Sequence, residues 1–178
     1  TKKEGYELDS GSAELIAILG DGSFRDAEGT LQKILNHAGK KRKISREDIE
    51  KITGAPKTIL VNNFISAIAE KNLEKGIESV KKASGTNLDM KLYFKLIIQK
   101  FRMAIILRYA PKLEAEMAMD LSEADLVFLK ALVKEDKTGM VRSPALSILL
   151  EEYQNIDSAF VAELPLELAL VKILENEI

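Results

Sequence analysis

Cysteine and tryptophan are absent from this 178-residue chain, and histidine occurs once. Without cysteine there is neither a disulfide framework nor a thiolate metal site, and a reducing, cytoplasmic setting is expected. One histidine rules out paired imidazole ligands, and no Ser/His/Asp set, nucleophile elbow or Gly-Lys-Ser/Thr phosphate loop is present, so no unaided catalysis and no resident metal are expected. Neither sign of charge dominates: 26 Lys and Arg against 28 Asp and Glu leave a net charge of −2. That balance excludes strong global attraction to nucleic acid or an anionic membrane. The apolar runs fall far short of a bilayer span, so no membrane partner is expected. The chain opens at Thr1 without a charged-then-apolar leader, and reads as a soluble piece whose N-terminal part has been removed.

What the chain does contain is 46% hydrophobic residues, spaced almost everywhere at the helical period and almost nowhere in strand alternation. The expected fold class is all-α: three short helices over 1–54, then a helical bundle over 55–178, with the boundary near Gly54. Helices are expected over about Ser12–Leu19, then from Ser23 to Gly39 with Phe24, Ala27, Leu31, Ile34, Leu35 and Ala38 on one face. A short helix follows, with Ser45 and Asp48 in capping-box positions and Gly54 at its end. The bundle begins at Pro56 and runs to about Glu70, then Asn72–Ala83, the loop "SGTN" at 84–87, and a long helix over Leu88–Tyr109 ended by Pro111. At ~1.5 Å per residue that helix is roughly 33 Å long, and its apolar coating suggests neighbours on two sides. Three more helices are expected: from Ser122 to about Lys134, from Pro144 through Tyr153, and from Pro165 to the C-terminus.

Arg25 fits this scheme poorly. In "GDGSFRDAEG", Ser23 suits an N-cap and Asp26 suits the positive end of a helix, whereas a cation in the first turn opposes the macrodipole by a few tenths of a kcal/mol. His37, in the last turn of the same helix, is best read as a favourable charge at a helix C-terminus. The cations Lys40 to Lys43 read as a solvated turn. Lys91, Lys95, Lys100, Arg102 and Arg108 on the long helix admit two readings, a nucleic-acid footprint or pairing with acidic neighbours such as Glu74 or Glu78. The Leu-rich stripes of the last helices are either core or interface, and the interface candidates are Leu126, Leu129, Leu166, Leu168, Leu170 and Val171.

"ELIAILGDGSFRDAEGTLQKIL" resembles the second sensor element in the lid of the bacterial clamp loader, the gamma/tau subunit family of DNA polymerase III. "ISREDIEKITG" is similar to the short helix that closes that lid, and "FKLIIQKFRMAIILRYAP" to the long helix of the collar. "ILLEEYQNIDSAFVAELPLELALVKI" is similar to the end of the collar. The resemblance spans nearly the whole chain and is weakest over Lys134–Arg142. It implies an upstream ATPase domain, with ATP and Mg bound there and no cofactor in the present chain. It implies that Arg25 reaches the ATP phosphates as a sensor once that domain is in place. The implied partners are other clamp-loader subunits, self and paralogues, and through the full complex the sliding clamp and primed DNA. The implied setting is DNA replication, as part of a DNA-directed DNA polymerase holoenzyme, a nucleotidyltransferase complex with DNA-binding and ATPase activity. Two other readings stay open: a stand-alone all-helical interaction adaptor, and the C-terminal part of a related replication-fork ATPase, against which the Leu164–Ile173 ending argues.

Overall fold

A computed structural model describes residues 5–39, 41–85 and 88–175. Lys40 of the basic turn, Thr86 and Asn87 of the expected loop, and the outermost residues of both expected domains lie outside the described residues. The elements in order are β1 (Glu7–Leu8), α1 (Ser10–Leu19), α2 (Phe24–Ala38), β2 (Lys43–Ile44), α3 (Arg46–Thr53), α4 (Thr58–Ala69), α5 (Leu73–Ser84) and α6 (Met90–Tyr109). They continue through a 3₁₀ turn (Pro111–Leu113), α7 (Glu114–Asp120), α8 (Glu123–Glu135), α9 (Ser143–Tyr153), a second 3₁₀ turn (Ile156–Ser158) and α10 (Leu164–Glu175). The all-α expectation is borne out. The one departure among the described residues is a two-stranded parallel ladder, Glu7 opposite Lys43 and Leu8 opposite Ile44. Strands this short carry no periodic signal, and the pairing joins distant segments.

Local chemistry explains where the helices begin and end. Asp9, Ser23, Asn72 and Asp89 each accept a hydrogen bond from a first-turn amide of the helix that follows. Ser45 and Asp48 form a reciprocal capping box on α3, and Gly54 ends that helix in the left-handed conformation at φ 72°. The helix expected at Pro56 starts two residues later, with Lys57 as its cap and no side-chain capping bond. Between Pro111 and Ser122, where no helix is expected, α7 forms. Its sequence, Glu-Ala-Glu-Met-Ala-Met-Asp, is short and presents no apolar stripe.

By packing, the chain divides into two units: Thr1–Ala55 with Ala115–Leu126, and Pro56–Glu114 with Val127–Ile178. A single cut near Gly54 assigns all of 55–178 to the second domain, whereas Ala115–Leu126 packs within the first unit. The cause is a polar seam inside that unit. Ser10 Oγ donates to the Leu121 carbonyl at 2.7 Å, and Arg46 lies 3.4 Å from the buried Asp125 and 3.8 Å from Glu14. The apolar centre of this unit is Leu15, Ile34, Ile44 and Ile49.

The core of the second unit comprises Phe64, Ile65, Ile68, Val80, Tyr93, Phe94, Ile97, Phe101, Leu129, Leu149, Leu166, Leu170 and Ile173. Edge-to-face ring pairs, Phe64 with Tyr93 and Phe94 with Tyr153, bind α6 to α4 and to α9. Gly76 lets α5 approach α10 closely, since a Cβ there would stand 2.2 Å from a methyl of Leu170. Burial on several sides agrees with the apolar coating of α6 read from its sequence.

Candidate functional site

Two places are candidates for a functional site, one in each unit. The first is the start of α2. The turn before it runs through Asp21 and Gly22 at positive φ, 48° and 81°. It begins at Gly20, where a Cβ would lie 2.7 Å from the Ala27 Cβ and 3.0 Å from the Ala27 amide nitrogen. Only glycine lets the end of α1 close on the first turn of α2 in this way. Ser23 Oγ then accepts from the Asp26 amide at 3.3 Å. Phe24 and Arg25 are left pointing into solvent, Phe24 at 90% exposure, although the helical period groups Phe24 with the inward residues Ile34 and Leu35. Arg25 has no ion pair among the described residues. An uncommitted guanidinium beside free helix N-terminal amides is chemically suited to a phosphate. His37 is exposed in the last turn of α2. In the basic turn, Lys41 pairs with Asp48 at 2.6 Å and Arg42 lies over the Tyr6 ring. Lys41 and the Ser45 amide and hydroxyl together lower the Asp48 carboxyl to about 2.

The second place is the outer surface around α10. Of the interface candidates, Leu129, Leu166 and Leu170 are fully buried within their own unit, which takes them off the surface open to a partner. Leu126 and Val171 are half-buried, and Leu168 is exposed. Leu-rich helices present apolar residues on both faces, so period alone does not say which stripe turns inward. The exposed residues around Leu168 are Leu164, Val161 and Phe160, the last at 99% exposure. The visible signal for them was "AFVAELP", a Phe-Val pair in a turn rather than a helix.

Lys91, Lys100 and Arg108 of α6 are committed to partners elsewhere in the fold. Lys91 pairs with Asp157, Lys100 donates to Asn62 at 2.9 Å beneath the Phe128 ring, and Arg108 pairs with Asp136 at 2.7 Å. Asp136 organises the loop after α8: it accepts from Arg108, from the Met140 and Val141 amides and from the Thr138 hydroxyl. Burial pushes its carboxyl up, but the Val141, Thr138 and Met140 hydrogen bonds and the Arg108 charge outweigh that and hold it below the ordinary value. Thr138 also bonds the Ala69 carbonyl, beside an open cleft of about 350 Å³ lined by Ala69, Glu70, Phe128, Leu132, Glu135 and Lys137. At the other end of the bundle, the buried Glu152 carboxylate receives Lys172 and raises the lysine above its ordinary value. Among the described residues no three His, Cys, Asp or Glu side chains converge as metal ligands, and no helix is long and apolar enough to cross a membrane.

No protein-family model matches the chain. It is similar to the DNA polymerase III subunit tau of Bacillus subtilis strain 168, with 24% identity over 97% of this chain and 30% of that protein. In fold it is similar to the DNA clamp loader delta protein of Bacillus subtilis, with a TM-score of 0.56 and 15% identity, covering 98% of this chain and 53% of that one. The chain therefore spans less than a third of the length of the curated relative it matches. The resemblance to the clamp-loader subunits read from the sequence is borne out as a likeness that extends along almost the whole chain.

Proposed function

We propose that this chain is the C-terminal helical part of a clamp-loader subunit that acts in DNA replication, and that its own task is assembly. The second unit serves as a collar that holds clamp-loader subunits, copies of itself and paralogues, in one complex. The first unit closes a nucleotide-binding lid, in which Arg25 reports the state of ATP. ATP and Mg belong to the nucleotide-binding domain of the complete subunit, and the sliding clamp and primed DNA are met through the full complex. The single observation that carries this reading is the sequence likeness to the tau subunit over 97% of the chain, supported by a clamp-loader fold over 98% of it.

Arg25 suits the sensor role because it is exposed at the N-terminus of a well-capped helix and has no ion pair among the described residues, so it can bind phosphate without first breaking one of those bonds. The chemistry that ATP supplies when bound is a terminal phosphate whose charge is lost on hydrolysis and release. The Arg25 guanidinium would hold that phosphate, with the start of α2 fixing its position. The test uses the complete subunit in a reconstituted clamp loader. Arg25→Ala is expected to lower ATP-dependent clamp loading while the subunits still co-purify. Unchanged loading would refute the sensor role, and loss of the complex itself would refute the division of labour between the two units.

A further inference from the structure

The second unit carries two outward stripes of opposite electrical character. Phe160, Val161, Leu164 and Leu168 follow one another at spacings of one, three and four residues on α10 and the turn before it, and all four are exposed. Glu163 and Glu167 run along one edge of this stripe and Glu175 stands at its end, while the cation beside it, Lys172, is paired with Glu152 at 2.5 Å. On α6, the helical period places Lys91, Lys95, Ile98, Arg102, Ile106 and Tyr109 on one outward face, and the sequence has no acidic residue between Asp89 and Glu114. Tyr109 is 67% exposed, and Arg102 is exposed with no ion pair among the described residues.

We infer that the α10 stripe of one copy of this chain seats on the α6 face of a second copy. The inference rests on the reading that the second unit is an assembly module and names the contact. Charge decides the occupant. Two α10 stripes facing each other would bring the Glu163 and Glu167 rows together, and two α6 faces would bring Arg102 against cations, whereas α10 on α6 sets carboxylates opposite the Arg102 guanidinium. Residue type agrees, because Phe160, Tyr109 and Arg102 are the kinds of side chain that anchor protein interfaces, with the leucines and isoleucines excluding water around them. Charges at such a rim set specificity and register, so the association weakens with added salt.

Sedimentation equilibrium of the whole chain over a concentration series tests this, with Arg102→Glu, Glu167→Lys and the variant carrying both. Arg102 is exposed and Glu167 half-buried, and neither belongs to the apolar core. Each single reversal is expected to weaken self-association roughly tenfold or more, and the double variant to recover most of it, because the reversed charges meet again across the contact. If Glu167→Lys weakens association and Arg102→Glu does not, α10 meets some other surface; this inference is overturned and the assembly reading stands. A wild-type chain that stays monomeric throughout also overturns it, and whether the chain then binds other clamp-loader subunits judges the assembly reading separately.

Discussion

Asp136→Ala should be among the most damaging single changes in the second unit. The carboxylate has no solvent-accessible side-chain surface and its partner Arg108 keeps only 19% of its own. Removing the carboxylate leaves the Met140 and Val141 amides without their side-chain acceptor and strands most of a guanidinium inside the fold. Breaking a buried pair by deleting one partner costs about 3–5 kcal/mol. Arg108 retains the Val133 carbonyl at 3.3 Å and some water, so the lower end applies. A loss of about 3 kcal/mol lowers Tm by roughly 6–12 °C for a protein of this size. Asp136→Asn keeps one acceptor but swaps the other for a donor, and should lose somewhat less. Urea unfolding followed by far-ultraviolet circular dichroism measures both. If each variant loses less than about 1 kcal/mol, the loop is held by backbone and packing, and the central place given to this carboxylate is wrong.

Three further outcomes follow from the same structure. Arg25→Ala should leave Tm unchanged or raise it slightly, since Arg25 has no ion pair among the described residues and opposes the helix dipole; a clear fall would mean that it is structural. Tyr93, whose hydroxyl is shared between Ser79 and the Leu60 carbonyl, has its ionisation pushed up to about 12 by burial. Burial thus favours the neutral phenol, and stability present below the ordinary tyrosine value is lost as pH rises toward about 12. Absorbance titration should show one tyrosine ionising late, and Tyr93→Phe should abolish that step at a cost of about 1 kcal/mol. Asp48, held at about 2, contributes stability above the ordinary carboxylate range that is lost as pH falls through its lowered value; carboxyl NMR titration should find it among the most acidic aspartates, and Lys41→Met should raise it.

What could be read in the sequence was local. The Ser45–Asp48 box, the Ser23 cap and the Gly54 terminator depend on residues three or four apart and are present as expected. Long α6 was visible because twenty residues average out the noise in a hydrophobic pattern. What required the fold was long-range. Seven-residue α7 has no stripe to recognise, and its place in the first unit depends on Ser10 meeting Leu121 across more than a hundred residues. The partners of Lys91 and Arg108, Asp157 and Asp136, lie far along the chain, where no helical period points. For the interface candidates, composition pointed only to Leu-rich helices. Only the packing shows that Leu166 and Leu170 face inward while Leu164 and Leu168 face outward. Arg25 was conspicuous because it broke a local rule without local compensation, and the structure leaves it exposed with no ion pair among the described residues.

Assembly is measured most directly by sedimentation velocity of this chain mixed with purified clamp-loader subunits from the same source. One faster boundary containing the chain is expected, diminished when Leu168→Glu places a charge in the exposed stripe of α10. Separate boundaries, each moving as its component does alone at every mixing ratio, would contradict it.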